Sequence, residues 1–504
     1  DELARYQDEI KILRRKLEKL ETGERRLKQN IATRRSALSS QRRVPVEIWE
    51  TIFIFVCESN YDYSLEIDYD LWSNTEDTPV LAHTYALTLS QVCARWRKIV
   101  NGYPRLWSSI KIQLDVPTTV VPPLEIYLER SREHPLSLQL CFLDADDYHL
   151  HGELQADKRD AWKLLCPHFA RTRELVLGIA NVEDMPLVPN LTFPSLTSFT
   201  SLASRSVIGT EMQNSFWHAV EGASQLTDVF LSMLLPSDWL PYRWLQSLNI
   251  QILADTESIE ALFHILLHCT SLVSLTLGSP ALDKGQPIPL VLQRPIELSS
   301  LRHLAIEDTC GIMGSDATFF PVCCPQLVLP GLTSFTLDSG GWPPALSTLL
   351  QRCATTLEKL TVDMYRCEDD SHSRASDVLQ FLSHLEHLTM DIGKESGVLT
   401  AFLSRLQTKD SDRNSFLPNL RSVHVKAVED WPSAAAEVVK RTLDAVSSRR
   451  GSSTVGSCSL TYFRLTPAPT WPPGQAQPVV SLDALEKMKS LRKDGIYVVF
   501  DDPN

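Results

Sequence analysis

Apolar residues at the start of the chain recur at the alternating spacing of three and four that is typical of a coiled-coil helix. Nine residues keep this heptad frame: Leu3, Tyr6, Ile10, Leu13, Leu17, Leu20, Leu27, Ile31 and Leu38. Glu24 and Arg34 interrupt it. The pattern predicts a coiled-coil-like helix over residues 1–43. It could form a coiled coil with another chain, pair with a later helix, or lie alone on the protein's own body, and the heptads do not decide among these.

A second apolar pattern begins at Pro45, a residue that is tolerated in the first turn of a helix. Two stripes run side by side along the helix that it predicts: Ile48, Ile52 and Phe55, then Trp49, Phe53 and Val56. This helix is too apolar to be half exposed in a monomer. We expect the protein's own core to cover one side and a second protein to cover the other.

Residues 58–82 differ in composition, because they hold seven acidic residues and no Lys or Arg. Carboxylates alternate around residues 66–70, as calcium ligands do, but the glycine turn and the closing glutamate of an EF-hand loop are missing. We interpret this segment as a solvated insertion without a metal.

The segment "LSQVCARWRKIVNGYP" allows a metal fragment, a nucleic-acid contact or a buried docking helix. Thr88 and Gln91 have the spacing of a capping box, which predicts a helix that starts there. Val92, Cys93, Trp96, Ile99 and Val100 would then share one apolar face. Cys93 has no histidine or second cysteine at ligand spacing, which argues against zinc.

These segments together resemble an F-box over about 65 residues. The residues that match its pattern are Val44, Pro45, Glu47, Ile48, Ile52, Phe53, Val92, Cys93, Arg95, Trp96, Arg97, Pro104, Leu106 and Trp107. The chain departs from the pattern at Val44, where the family has leucine, and in the 25-residue insertion 58–82. The preceding heptad helix is similar to that of F-box-like proteins of mushroom-type fungi.

The resemblance implies docking on a Skp-type adaptor and, through it, on a cullin ubiquitin ligase. The adaptor-binding residues that it implies are Pro45, Ile48, Ile52, Phe53, Val92, Cys93 and Trp96. The F-box-like domain would span residues 44–108.

Beyond residue 108 the pattern apolar, any, any, apolar, any, apolar recurs. Nine windows fit it, starting at residues 226, 245, 272, 301, 332, 357, 385, 420 and 460, and two looser ones start at 172 and 196. This predicts an irregular leucine-rich-repeat solenoid, a horseshoe of strands and helices, over residues 109–504. "SSIKI" and "PLSLQL" would begin it, and a last helix and strand would cap it. The expected fold class is α/β: a heptad helix, a small all-α F-box and a solenoid.

Aligning the windows places two columns of residues on the concave face of the expected sheet. The first holds Thr276, Ala305, Thr336, Thr361, Thr389 and His424, and the second holds Gly278, Glu307, Asp338, Asp363, Asp391 and Lys426. Four neighbouring acids would repel one another unless they were solvated or met by a basic ligand. Our hypothesis is that Glu307, Thr336, Asp338, Thr361, Asp363, Thr389 and Asp391 receive a basic segment of a client protein. The alternative is that the acids form turns at strand ends.

Charge and cysteine content narrow the classes of function. The net charge is −13, although residues 1–43 alone carry +6, so the acidic body argues against nucleic-acid binding. No apolar run is long enough to span a membrane, and the eleven cysteines lack CxxC spacing, which predicts reduced thiols in a cytoplasmic or nuclear protein. His264 and His268 with Cys269, and separately His149 with His151, are weak metal candidates, so we expect no metal and no cofactor.

The chain lacks dinucleotide, Walker, zinc-protease and nucleophile-elbow motifs, so we do not expect an enzyme. The favoured function is a substrate-recognition subunit of a Skp, cullin and F-box ubiquitin ligase that binds an unknown protein client. The alternatives are a leucine-rich-repeat scaffold with a vestigial F-box and a coiled-coil homodimer.

Overall fold

The computed structural model describes residues 1–38, 43–58, 63–68, 81–113, 120–141, 154–178, 191–202, 211–235, 239–252, 256–278, 295–307, 324–338, 344–364, 377–392, 396–407, 416–427, 435–449, 460–466 and 482–500. They form two compact units. The first unit comprises Asp1–Ile112 and Pro122–His134, and the second comprises Gln113–Val121 and Pro135–Asn504. No helix in these ranges is both long and apolar enough to cross a membrane.

The described residues of the first unit form five helices and three strands. Its helices are α1 (Glu2–Leu38), α2 (Val46–Glu58), α3 (Tyr85–Val92), α4 (Ala94–Gly102) and α5 (Val121–Ser131), with a 3-10 turn at Pro104–Trp107. Its strands are β1 (Leu65–Asp68), β2 (Leu81–Thr84) and β3 (Ser109–Gln113). β1 pairs antiparallel with β2 and parallel with β3.

The helix expected to begin at Thr88 is instead two helices that meet at Cys93, so the capping-box prediction is wrong. Cys93 is extended, with φ −158° and ψ 167°, and it caps α4. Its Sγ accepts a hydrogen bond from the Trp96 backbone N–H at 3.4 Å. Thr88 lies inside α3, where its hydroxyl donates to the Thr84 carbonyl at 3.0 Å. The cysteine sulfur thus takes the place that a serine oxygen usually fills at a helix start.

The acidic insertion is not wholly solvated, because its described part contributes a strand to the sheet. Leu65 and Ile67 of β1 are buried at 0% and 2% exposure. Between them Glu66 forms an ion pair with Lys111 on β3 at 2.9 Å. The period-two pattern of apolar residues between the acids explains the burial. The alternating carboxylates beyond Asp68 lie outside the described residues.

Aromatic packing closes the core of the first unit near its end. The Trp107 indole N–H donates to the Val100 carbonyl at 2.8 Å, and its ring meets Tyr127 of α5 edge-on at 4.8 Å. The Tyr127 hydroxyl donates to the Ser64 carbonyl at 2.9 Å. Residues 109–112 and most of α5 therefore belong to the first unit, although the sequence pattern predicts them at the start of the repeats.

The second unit is built on a long parallel sheet. Its strands are β4 (Leu136–Cys141), β5 (Thr172–Gly178), β6 (Ser198–Ser201), β7 (Asp228–Met233), β8 (Ser247–Ile252), β9 (Ser274–Leu277), β11 (His303–Glu307), β13 (Ser334–Asp338), β14 (Lys359–Met364), β15 (His387–Ile392), β16 (Ser422–Ala427), β17 (Tyr462–Thr466) and β18 (Tyr497–Phe500). Each pairs in parallel with the next in this order. β10 (Ile296–Glu297) and β12 (Leu327–Val328) form a separate parallel pair.

Helices lie between many of these strands along the chain. They are α6 (Leu154–Leu165), α7 (Glu211–Glu221), α8 (Thr256–Leu266), α9 (Pro344–Arg352), α10 (Ser396–Leu406), α11 (Ala435–Ser448) and α12 (Leu482–Lys493). Short 3-10 turns occupy Cys166–Arg171 and Tyr242–Trp244. Because parallel strands need a return connection, each strand and its return connection make one repeat.

All eleven sequence windows lie on strands of this sheet. The leucine that opens a window, two residues before the strand, is buried: Leu226, Leu245, Leu272, Leu301, Leu332, Leu357, Leu385, Leu420 and Leu460 are 0–2% exposed. The expected α/β fold is therefore confirmed as a mixed fold with a long parallel sheet, which is compatible with a solenoid of leucine-rich-repeat type. α12 and β18 end the sheet, as expected, and Gly495 supplies the positive φ of 80° between them.

Two arginines tie neighbouring repeats together. The Arg449 guanidinium, after α11, donates to the carbonyls of Leu417 at 2.8 Å and Leu406 at 3.3 Å, and also to that of Phe416. Arg352 at the end of α9 similarly donates to the Cys324 carbonyl. Burial lowers the pKa of Arg449 to about 10. Each guanidinium thereby supplies hydrogen-bond donors to backbone carbonyls of an earlier part of the chain.

Candidate docking surfaces

Helix α2 has one buried side and one exposed side. Phe53, Cys57 and Trp49 are 0%, 2% and 8% exposed, and they face α3 and α4, against which α2 packs. On the other side Ile48 is 50% exposed, Ile52 41% and Phe55 70%. We call these three residues the α2 face. Its exposure agrees with the expectation that the protein's own core covers only one side of this helix.

An aromatic cluster holds the buried side of α2 in place. The Trp96 ring of α4 lies 4.8 Å from the Phe53 ring and 5.1 Å from the Trp49 ring. Arg95 donates from its guanidinium to the Val44 carbonyl at 2.7 Å, which fixes the chain where it enters α2. The tryptophan and arginine of the F-box-like pattern therefore act inside this unit as positioning residues.

The predicted adaptor-binding residues divide into two groups in the structure. Pro45, Ile48, Ile52, Val92 and Cys93 are exposed. Phe53 is fully buried and Trp96 is half-buried against it, so Phe53 is not accessible to a partner in this conformation. The single helix face expected for Val92, Cys93 and Trp96 is wrong, because Cys93 separates α3 from α4.

Two exposed apolar residues of α2 were missing from the predicted set. Phe55, at 70%, is the most exposed apolar side chain of the helix, and Val46 is 43% exposed. The signal for Phe55 was present, since it follows Ile48 at seven residues and shares its stripe. Phe55 is absent from the predicted set because it is not among the residues that match the F-box-like pattern.

The second candidate surface is the row of acids on the sheet of the second unit. Glu307 pairs in register with Asp338, and Asp363 with Asp391. We call Glu307, Asp338, Asp363 and Asp391 the acid row. The threonine column beside it is also in register, with Thr336 opposite Thr361 and Thr361 opposite Thr389. The threonine column is therefore present as predicted, and the acid row is in register within each of these two pairs.

The acid row is accessible and ends at a lysine. Asp338 is exposed, and Glu307, Asp363 and Asp391 are half-buried. Lys426 Nζ lies 3.3 Å from Asp391 Oδ2, so one acid already has a counter-charge. At the other end Gly278 lies against the Gln251 backbone, where no side chain would fit. Glu307 and Asp338 are the last residues of their strands, whereas Asp363 and Asp391 each precede the last.

The weak metal candidates are not assembled into a site where the structure describes them. His264 and His268 are exposed, while Cys269 is buried and donates its thiol to the Ile265 carbonyl at 3.3 Å. Within the described ranges no three metal-ligating side chains come together. His149 and His151 lie outside those ranges.

Most of the described cysteines are covered by apolar packing. Burial raises the pKa of Cys269 and Cys324 to about 12 and that of Cys353 to about 11. These thiols are therefore protonated and unreactive at neutral pH. Cys93 differs, since it is exposed at the junction of α3 and α4.

Comparisons with known proteins add little beyond this geometry. No protein-family model matches the chain, and no curated protein matches it. Among solved structures, a protein from Bacteroides fragilis is similar at 15% identity and a TM-score of 0.26, over 61% of this chain and 66% of its own. TLR13 in complex with a single-stranded RNA is similar at 12% identity and a TM-score of 0.27, over 72% of this chain and 49% of its own. The chain thus spans just under two thirds of one and about half of the other, and scores this low assign no family.

Proposed function

We propose that this chain is the substrate-recognition subunit of a Skp, cullin and F-box ubiquitin ligase. The α2 face carries the proposal, because three large apolar side chains at 41–70% exposure share one helix stripe. An exposed apolar stripe of this kind marks a protein-interaction site. The F-box-like order of residues from Val44 to Trp107 supplies the identity of the partner, a Skp-type adaptor.

The exposure of the side chains supports a narrower set of direct adaptor contacts in this proposal. Ile48, Ile52 and Phe55 would contact it directly, and Pro45, Val92 and Cys93 would contribute from exposed positions. Phe53 and Trp96 would act indirectly, by holding α2 against α4. The subunit itself is non-catalytic in this proposal, and ubiquitin transfer belongs to the ligase that the adaptor recruits.

Copurification with a Skp-type adaptor tests the proposal. Ile52→Asp places a charge at the centre of the α2 face, and we expect it to weaken adaptor binding at least about tenfold, since a hot-spot apolar anchor is worth ~2 kcal/mol or more. Leu267→Asp is the matched control, because Leu267 is 51% exposed in the second unit. Adaptor binding that tolerates Ile52→Asp as well as it tolerates Leu267→Asp would contradict the proposal.

Cys93 offers an independent readout on the unsubstituted chain. Its exposed thiol should be alkylated readily by iodoacetamide, and bound adaptor should slow that reaction. Peptide-level mass spectrometry reports Cys93 separately from the other cysteines. If no Skp-type adaptor binds the chain, the result would favour the alternative function, a leucine-rich-repeat scaffold with a vestigial F-box.

In this proposal the acid row is the client site, and it binds a basic segment of the client protein. Opposed carboxylates on neighbouring strands repel each other, and a lysine or arginine ligand would relieve the repulsion. Lys426 beside Asp391 shows the same relief within the chain. Hydroxyl groups beside the acids would be available to hydrogen-bond the client, from Thr336, Thr361 and Thr389.

A charge-reversal pair tests the client site. Asp338→Lys with Asp363→Lys should abolish binding of a lysine-rich peptide and of proteins captured with the adaptor while the proteasome is blocked. Glu260→Lys with Glu486→Lys, both on exposed helix positions, makes the same change in net charge away from the sheet. Equal client binding by the two double variants would favour the alternative that the acids only form turns.

A further inference from the structure

Helix α1 exposes its entire described heptad stripe. The eight apolar residues of this α1 stripe are 43–73% exposed: Leu3, Tyr6, Ile10, Leu13, Leu17, Leu20, Leu27 and Ile31. No described part of the chain covers them. A hydrophobic stripe of this length along one helix is stable in water only when another surface packs against it.

We propose that a second copy of this chain covers the α1 stripe, in a parallel, in-register two-stranded coiled coil. The heptad frame places Leu3, Ile10 and Leu17 at position a and Tyr6, Leu13 and Leu20 at position d. Aliphatic residues at both positions are the ordinary seam of such a pair. The charges that flank the seam identify the partner.

In a parallel pair each g residue faces the e residue five positions later on the other helix. Glu9 therefore faces the partner's Arg14, and Lys16 faces the partner's Glu21. Each contact occurs twice by symmetry. Among the described residues none of these four side chains has an ion-pair partner within its own chain. Over the first three heptads every charged g and e pair is of opposite sign, so the sequence is complementary to itself.

The opposite orientation is less favourable. An antiparallel pair centred on residues 3–20 sets g beside g and e beside e. Glu9 would then lie beside the partner's Lys16, which is the one kind of opposite-charge pair in that arrangement. The parallel arrangement forms two kinds and twice as many contacts.

The two breaks in the heptad frame limit the seam and help to fix its alignment. In register, Glu24 would face the partner's Glu24, at a cost that the Lys28 ion pair at 2.6 Å on the same helix offsets in part. A polar residue in the seam lowers stability but disfavours shifted pairings. We therefore place the main contact at residues 3–20. This inference stands apart from the ligase proposal, because it depends on α1 alone.

The mass of the full chain in solution tests whether the second copy binds. Sedimentation at micromolar concentration should give twice the 56.8 kDa of one chain. Leu13→Asp with Leu17→Asp should return the mass to that of one chain. Ile12→Asp is the matched control, since Ile12 is 52% exposed beside the stripe at position c, and it should leave the doubled mass unchanged. A single-chain mass for the unsubstituted protein would overturn the proposal.

Charge exchange tests whether the partner is the same sequence. Glu9→Arg sets two arginines opposite each other, and Arg14→Glu sets two glutamates opposite each other, so each alone should raise the dissociation constant at least about tenfold at low salt. The two changes together restore opposite charges and should return it to within about threefold. A double variant that is as weak as the single ones would contradict self-pairing.

A cysteine cross-link tests the orientation. Position a of one helix faces position a of the other in a parallel, in-register pair, so Ile10→Cys should form a disulfide between two chains under mild oxidation. In an antiparallel pair residue 10 would face residue 13 and the link should not form. The unsubstituted chain under the same oxidation controls for its own cysteines. A doubled mass without this cross-link would overturn the parallel arrangement.

Discussion

The two units differ in how many large apolar side chains they expose. Among the described residues, fourteen exposed large apolar side chains lie in the first unit and six lie in the second. Those of the first unit fall almost entirely on α1 and α2, along two helix stripes. Those of the second unit are scattered singly, as on any protein surface.

The difference follows from how each unit completes its core. In the second unit each strand from β4 to β17 of the long sheet places buried apolar residues, many of them leucines, beside those of its neighbours, so each repeat covers the one before it. In the first unit α1 and α2 each have a side that no described element covers. The repeats of the second unit thus cover their own apolar residues, whereas the described residues leave one side of α1 and one side of α2 exposed.

The largest expected effect contrasts two phenylalanines, one from each unit. Phe335 on β13 is 0% exposed and Phe55 on α2 is 70% exposed. Phe335→Ala should lower the free energy of unfolding by about 3–5 kcal/mol, because it leaves a cavity in the repeat core. Phe55→Ala should change it by less than about 1 kcal/mol. Urea denaturation measures both, and similar losses would mean that the α2 face is covered within the chain.

A smaller loss of stability is expected at Trp96. Its ring contacts Phe53 and Trp49, although the residue is only half-buried. Trp96→Ala should lower the stability of the first unit by about 2 kcal/mol and loosen α2. A loss of adaptor binding in this variant could therefore result from the lower stability of the first unit as well as from a lost contact with the adaptor.

Trp96→Phe is the informative companion, because it retains an aromatic ring in the cluster. Near-ultraviolet circular dichroism and urea denaturation would show whether the cluster survives. Full stability in Trp96→Ala would contradict the positioning role of this residue.

The buried thiols of the second unit predict that its free energy of unfolding depends on pH. Burial raises the pKa of Cys269 to about 12, so above about pH 9 the unfolded chain releases this proton while the folded chain keeps it. Stability is therefore full below pH 9 and falls as pH rises, by about 1.4 kcal/mol per pH unit for one such thiol. Cys269→Ala should remove that part of the slope between pH 9 and 10. Urea denaturation at the two pH values measures it, and an unchanged slope would contradict the burial of this thiol.

The strands of the second unit could be predicted from the sequence because the same spacing of apolar residues recurs along the chain. Window after window, from "TRELVL" at 172 to "LTYFRL" at 460, falls on a strand, and the register of the threonine column follows from the same alignment. A slip by one residue would turn the leucines to solvent, so the hydrophobic pattern fixes the register.

The first unit was harder to predict because single contacts decide its local structure. At Cys93 a thiol takes the capping role, and apolar spacing alone continues through the break between α3 and α4. At Glu66 a buried ion pair with Lys111 holds an acidic residue inside the sheet. The Cys93 cap depends on backbone geometry, and the Glu66 ion pair depends on a residue distant in the sequence. Neither contact produces a recurring spacing of apolar residues that the sequence would reveal.

The smallest expected effect tests whether the acids repel one another as a row or serve as turns. Asp338 is exposed and lies in register with Glu307, so Asp338→Asn should raise the free energy of unfolding by a few tenths of a kcal/mol at low salt. About 1 M salt should cancel the gain, because it shortens the range of the repulsion. Asparagine also suits turns, so Asp338→Ala separates the two explanations: relief of repulsion predicts a gain there as well, whereas a turn role predicts a loss. Urea denaturation at both salt concentrations decides between a row poised for a basic ligand and a set of strand ends.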